Sequence, residues 1–399
     1  MDPLTQLIEL PEAARTARGL TDTPREIHQQ PETWLNTFER MQAVRSSIAN
    51  VCEGAGQRFS QVILAGAGSS DYVGRALAGL LQRHWGCPVR SIPSTDLLTG
   101  LEEYILPDGL CLLISFSRSG ESSEGIALLD LARQRYPEQI RHIVITCNAD
   151  GAMAQMPGVV PIVLDDAVND RGLAMTSSFT NMLIAGEYLA YFNQERTCAT
   201  LVQDLATMGT SLLPTAAELT TTLAKKSFRR VCFLGSGALQ AVAQESALKV
   251  LELNAGKIAT LAESFLGLRH GPMSFLNRQT LVCAYLSADE PRGLYELDVL
   301  EEIRSKRLAG EVLVVAPRNS DRIRAAAGHV VDLQAPQHFP DAMLSAVDVI
   351  VGQLLALFLS IENGVRPDTP STGAISRVVS HVKIYTPAAA GRNGQGREF

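Results

Sequence analysis

The chain has 399 residues, 46% of them hydrophobic, which is enough for two domains with full cores. Its formal net charge is −7 and no basic block or aromatic-basic stripe occurs, so nucleic acid is a poor partner. The start, Met1-Asp-Pro-Leu-Thr5, lacks the basic-then-apolar layout of a signal peptide.

Residues 1–46 read as helical, with Thr23-Pro-Arg-Glu-Ile27 opening like a capped helix with proline in its first turn. This segment is expected to be an arm packing on the first half or on a partner subunit. Gln61-Val-Ile-Leu-Ala-Gly-Ala-Gly-Ser-Ser70 follows as an apolar strand ending in Gly66-x-Gly68. A helical pattern runs from Val73 to His84. The apolar run Leu110 to Phe116 then stops in Ser117-Arg-Ser-Gly-Glu-Ser122, and a helix is expected over Gly125 to Arg135. A strand over Arg141 to Asn148 and a helix over Thr180 to Phe192 complete the first half.

Roughly 170 residues on, Arg230-Val-Cys-Phe-Leu-Gly-Ser-Gly-Ala-Leu239 repeats the first strand and its Gly-x-Gly turn. Helices over Gln240 to Leu253 and Tyr295 to Lys306 alternate with strands over Thr280 to Leu286 and Glu311 to Asn319. The apolar stretch Val349 to Ile361 is shorter than a bilayer span and flanked by Asp348 and Glu362, so it reads as a buried helix with no membrane role. Strands that are apolar throughout, alternating with helices, predict parallel sheets covered on both faces. The fold class is therefore α/β: two tandem doubly wound sandwiches behind a helical arm. The expected divisions are 1–46, 47–210 and 211–386, with a flexible tail over 387–399.

Such sheets bind ligands at the carboxyl ends of their strands. There the sequence offers Ser70, Ser117, Ser119 and Ser122, the last three at a helix start where free N–H groups and the helix dipole favour an anion such as a phosphate ester. A serine-capped turn gives the same pattern. A dinucleotide fits poorly, because Asp71 stands at the third glycine position of the fingerprint. Glu245, Lys249 and Glu252 fall at i, i+4 and i+7, on one helix face. They form either a solvated stripe of ion pairs or a catalytic stripe with Lys249 orienting Glu252 as a base. His270, in Gly267-Leu-Arg-His-Gly-Pro272, sits in a loop where an acid/base role is available, with His338 and His381 as alternatives. The loop Asp170-Arg-Gly-Leu-Ala-Met-Thr-Ser-Ser-Phe179 either holds a sugar or caps a helix. No His/Cys cluster has metal-ligand spacing, so no metal is expected. The seven cysteines include no Cys-x-x-Cys, and Cys111, Cys147, Cys232 and Cys283, in or beside apolar strand-like runs, read as core thiols of a reducing cytoplasm.

In this order, these motifs resemble the sugar isomerase (SIS) family over about residues 50–385. Within it they are most similar to the galactosamine-6-phosphate deaminase/isomerase subgroup. Thr176-Ser-Ser178, Glu245-Ser-Ala-Leu-Lys-Val-Leu-Glu-Leu253, Pro367-Asp-Thr-Pro370 and Gln30-Pro-Glu-Thr-Trp34 carry the subgroup likeness. The resemblance implies that Ser117, Arg118, Ser119 and Ser122 hold the sugar phosphate with Ser70 nearby, and that Thr176 and Ser177 touch the sugar. It makes Glu252 the base between C1 and C2, Lys249 its positioner and His270 the ring-opening group, donated by a neighbouring subunit. A homodimer or larger homo-oligomer with shared sites follows, needing no cofactor. Arg377 stands where the family's synthases carry a lysine; an arginine does not readily shed a proton but can clamp an anion. Synthases also carry a glutaminase segment with an N-terminal cysteine, whereas residue 2 here is Asp. The expected reaction is therefore release of ammonia from galactosamine 6-phosphate to give tagatose 6-phosphate. Alternatives are plain aldose/ketose isomerisation, deamination of glucosamine or fructosamine 6-phosphate, and a non-catalytic sugar-phosphate sensor.

Overall fold

A computed structural model of the chain describes residues 1–53, 59–371, 373–380, 382–385 and 397–398. The arm consists of α1 (Pro3–Ile8), α2 (Glu12–Arg18), α3 (Thr23–His28), α4 (Gln30–Ala43) and α5 (Arg45–Glu53). The first half runs β1 (Phe59–Gly66), α6 (Ser69–Trp85), β2 (Val89–Pro93), α7 (Ser94–Gly100), β3 (Leu110–Ser117), α8 (Ser123–Arg135), β4 (Ile140–Thr146), β5 (Val159–Val163) and α9 (Ser177–Ala190). A 30-residue helix, α10 (Glu195–Ala224), connects the halves.

The second half runs β6 (Arg230–Leu234), α11 (Ala238–Leu253), β7 (Ala259–Glu263), α12 (Phe265–Leu268), β8 (Thr280–Tyr285), α13 (Glu290–Ser305), β9 (Glu311–Ala316), α14 (Asp321–Ala326), β10 (His329–Asp332) and α15 (Asp341–Glu362). Finally β11 (Lys383–Ile384) pairs antiparallel with β12 (Arg397–Glu398). The divisions expected at 46/47 and 210/211 fall inside α5 and α10. Apart from residues 397–398, the segment from 387 lies outside the described residues, as does His381.

Both sheets are fully parallel, with orders β2-β1-β3-β4-β5 and β7-β6-β8-β9-β10, so the repeat in the sequence is a repeat of topology. The Gly-x-Gly turns match closely. Gly68 sits at φ 57°, ψ −126° and Gly237 at φ 60°, ψ −125°. A Cβ on Gly66 would lie 2.4 Å from the Ser70 carbonyl oxygen, and one on Gly235 2.1 Å from that of Leu239, so both strands must end in glycine.

Period-two alternation divides each strand between two cores. Val62, Leu64, Leu112 and Ile114 face a central core, while Ile63, Ala65 and Leu113 face an outer cluster shared with Leu97 of α7 and Leu128 of α8. In the second sheet Phe233, Leu281 and Leu313 point to the central core, and Cys232, Leu234 and Val282 point outward. Helices α6, α9, α11 and α15 pack on one another between the sheets. This is why α15, apolar enough to cross a membrane by length and composition, is buried throughout its most apolar window.

The arm folds back on its own chain. α4 packs on α9 and α10, burying Trp34 completely, with the indole N–H donating to Thr180 Oγ1 at 2.9 Å. Gln30 donates to Gln353 Oε1 (2.8 Å), and Gln353 donates to the Thr176 carbonyl (3.3 Å). The arm thereby braces the start of α9.

Candidate active site

A cleft of about 150 Å³ opens at the carboxyl end of the first sheet. Ser70, Ser117, Arg118, Ser119, Ser122 and Arg377 all line it. The loop after β3 turns at Gly120, which has φ 65° and lies so close to Gly151 that an added Cβ would stand 3.3 Å from its Cα. Ser117 Oγ accepts from Gly120 N (3.1 Å), Ser119 Oγ from Glu121 N (3.2 Å) and Ser122 Oγ from Gly125 N (3.3 Å). In each case the hydroxyl oxygen accepts from backbone, which leaves its O–H able to donate. Three such hydroxyls at the N-terminus of a 13-residue helix make a setting suited to an anion.

Arg118 is nearly buried and builds the wall rather than standing free. It donates to the carbonyls of Gly172 (3.4 Å), Leu173 (3.1 Å) and Arg377 (2.6 Å). Burial, then the neighbouring Arg377 charge, pulls its pKa below the usual arginine range, yet arginine stays charged at neutral pH. Arg377 donates to the Asp170 carbonyl (2.8 and 2.5 Å) and to Asn169 Oδ1 (2.7 Å).

The three charges of α11 do not line this cleft but connect to it through Ser69. Lys249 Nζ is 2.5 Å from Glu252 Oε2, 3.3 Å from Glu245 Oε1 and 3.0 Å from Ser69 Oγ, on the residue before Ser70. Glu245 and Lys249 are fully buried, so the solvated-stripe reading fails, while the Glu252 side chain keeps 22% exposure. Burial pushes the Glu245 carboxyl up against the opposing pull of Lys249, with Glu252 adding to the rise. Burial acts against the Lys249 charge as well, but the two carboxylates outweigh it and its pKa is raised. The arrangement is a fixed ammonium holding one carboxylate at the edge of solvent.

The remaining expected residues are placed elsewhere. Thr176 and Ser177 are fully buried and off the cleft lining. Asp170 accepts from Thr176 N, Thr176 Oγ1, Ser177 N, Ser178 N and Ser178 Oγ, between 2.5 and 3.1 Å, and so caps α9. Ser177 Oγ donates to the Glu26 carbonyl (2.9 Å). Of the two uses open to this loop, the helix cap is the one the structure shows. His270 is exposed in the turn after α12 and does not line the cleft of its own chain. His338 lines a separate crevice with Gly237 and Arg292.

Ser69, Ser94, Met153, Met175, Val378 and Val379 take part without having been singled out in the sequence. Ser69 and Met175 lie inside stretches quoted above, without a role assigned to them; Ser94, Met153, Val378 and Val379 are isolated residues that only the fold brings together. Among the described residues no group of three or more His, Cys, Asp and Glu could hold a metal ion, and Cys111, Cys147, Cys198, Cys232 and Cys283 are buried thiols.

Comparison with known proteins gives a consistent picture. The SIS domain family pattern matches residues 58–191. The D-galactosamine-6-phosphate deaminase AgaS of Escherichia coli is 37% identical over 382 residues, covering 94% of this chain and 97% of the relative. The protein of the same name from Shewanella sp. (strain ANA-3) is 32% identical, covering 93% of each chain. The crystal structure of tagatose-6-phosphate ketose/aldose isomerase from Escherichia coli superposes with a TM-score of 0.81 at 36% identity, covering 88% of this chain and 95% of that one.

Proposed function

The chain belongs to the AgaS family of SIS-domain enzymes, and from that premise we propose that it converts D-galactosamine 6-phosphate and water into D-tagatose 6-phosphate and ammonia. The observation that carries this reading is the pairing of the serine-lined cleft with Lys249–Glu252, joined through Ser69 and Ser70. Likeness to the deaminase over 94% of the chain supports the same chemistry.

In the proposed reaction the phosphate sits against the hydroxyls of Ser117, Ser119 and Ser122 at the start of α8. The sugar ring opens by proton transfer at the ring oxygen. Glu252 removes the C2 proton, giving an enolamine, and returns a proton to C1, giving a ketimine at C2. Water adds to that ketimine and expels ammonia, leaving the ketose. A positioned base of this kind contributes about 10²–10⁴-fold. Lys249 fixes the carboxylate, and its charge favours the enolate-like character that develops.

His270 belongs to this proposal as the ring-opening group of a second copy's site. Its exposure, away from its own cleft, supports a homodimer with shared sites. A cytoplasmic setting is part of the same proposal, since the buried thiols Cys111, Cys147, Cys198, Cys232 and Cys283 suit a reducing compartment. A role in N-acetylgalactosamine catabolism would follow from the substrate.

The second reading is isomerisation without deamination, favoured by the name of the 36% identical solved structure. Ammonia release from galactosamine 6-phosphate, beside glucosamine 6-phosphate and tagatose 6-phosphate, separates the two. Rapid release from the galactose epimer supports the deaminase. Interconversion of tagatose and galactose 6-phosphates without ammonia supports the isomerase.

A further inference from the structure

Two sequence motifs have no part in that chemistry: Gln30-Pro-Glu-Thr-Trp34 in the arm and Pro367-Asp-Thr-Pro370 after α15. The first is hydrogen-bonded to Thr180 and Gln353, and the second, through Asp368, to Thr21, Asp22 and Thr23 of the arm. The cleft wall includes Arg377, Val378 and Val379, which belong to a strap over 366–379 that has neither helix nor strand among its described residues. Without a ladder of its own, such a segment stands only as firmly as its side bonds allow. We propose that Asp368 is a positioning residue for the cleft, clamping the strap to the arm so that this wall is in place before substrate arrives. The proposal rests on the reading of the cleft as the sugar-phosphate site.

The Asp368 carboxylate is bonded through both oxygens. Oδ2 accepts from Thr21 N (2.6 Å) and Asp22 N (3.2 Å), and Oδ1 from Thr23 N (2.9 Å) and Thr23 Oγ1 (2.8 Å). It thus caps α3 from 345 residues away, while Asp22, at the local cap position, makes no cap bond. The backbone joins in. Asp368 N donates to the Gly19 carbonyl (3.0 Å), and the Asp368 carbonyl accepts from Leu173 N (3.2 Å). At the same contact a Cβ on Gly19 would lie 2.7 Å from Arg366 Cβ.

From Leu173 the path to the cleft is short. The Leu173 carbonyl accepts from Arg118, and Arg118 donates onward to the Arg377 carbonyl. Val379 O accepts from Ser123 N (3.2 Å), which ties the strap to the first residue of α8. Arm, capping loop, phosphate loop and strap therefore meet in one hydrogen-bonded knot with Asp368 at its far end. An amide at 368 would keep the size but offer one acceptor oxygen instead of two.

The test is steady-state ammonia release together with hydrogen exchange of residues 373–380, on Asp368→Asn and Asp368→Glu in the full chain. For Asp368→Asn the expected result is a Michaelis constant raised about tenfold with kcat within about twofold, largely restored in Asp368→Glu, and faster exchange in the strap. A folded Asp368→Asn protein with unchanged Michaelis constant overturns the proposal, as does a loss confined to kcat in step with lost stability. If the unaltered chain releases no ammonia, the proposed reaction fails and hydrogen exchange alone decides. Faster strap exchange then upholds Asp368 as the clamp, and unchanged exchange removes it.

Discussion

Glu245, Lys249 and Glu252 share a helix face by spacing alone, and burial decides what that face does. A solvated i, i+4 pair contributes tenths of a kcal/mol. Here Lys249 and Glu245 are fully buried, and Lys249 is bonded across the halves to Ser69. Replacing Lys249 with methionine leaves Glu245 buried without its counter-charge. Removing one member of such a pair costs about 3–5 kcal/mol, so Lys249→Met is expected to lower the urea midpoint sharply as well as activity. Glu252→Gln is a different case, because Glu252 keeps 22% exposure and its loss strands no fully buried carboxylate. Its expected phenotype is kcat reduced about 10²–10⁴-fold with sugar-phosphate affinity retained. Near-normal turnover would remove Glu252 as the base. The spacing of these residues was legible in the sequence, as was the apolar remainder of the helix. Ser69 as the third partner was not, since no local pattern pairs residues 180 positions apart.

The elements that escape sequence reading do so for physical reasons. The edge strands β2, β5, β7 and β10 have four or five residues and are only partly buried; β2, β7 and β10 lack the continuous apolar run that marks the inner strands, and β5, though apolar, carries Pro161 in its middle, which argues against a strand in the sequence. Helix α10 carries Pro214 in its interior, where a proline ordinarily breaks a helix, and packing against α4 and α15 holds it continuous. Caps delivered from afar are equally hidden. Asp170 caps α9 from within its own loop and lay in view, whereas the cap of α3 comes from Asp368. Asp170→Asn should cost about 1–3 kcal/mol, because one oxygen cannot accept from all five donors that α9 presents. Chemical denaturation measures that loss. An unchanged midpoint would show that water replaces the cap without penalty.

At the scale of the whole molecule, the duplication puts the helices α6, α9, α11 and α15 between two sheets, and that dry layer holds acids. Glu187 on α9 and Asp348 on α15 are almost wholly buried, and neither Glu187 oxygen has a hydrogen-bond partner among the described residues. Burial pushes both carboxyls well above the ordinary range; for Asp348 the charges of Asp341 and Glu296 add to the rise. Burial likewise raises Glu296 to about 7, and burial with the Asp170 charge raises Glu26 to about 8. A carboxyl whose folded pKa exceeds its unfolded value means that the folded state holds more protons. Stability is then fully present below the unfolded pKa, near 4.5, and is lost as pH rises through the folded values. The thermal midpoint is therefore expected to decline between about pH 5 and pH 8, against the common pattern of carboxylates that stabilise on ionising. Glu187→Gln mimics the protonated acid. It should match the unaltered protein near pH 5 and exceed it at pH 8, giving a shallower profile by calorimetry. Parallel profiles would mean that Glu187 keeps the same charge in the folded and unfolded chains, and a midpoint rising to pH 8 would mean that ionised pairs, not buried acids, govern the fold.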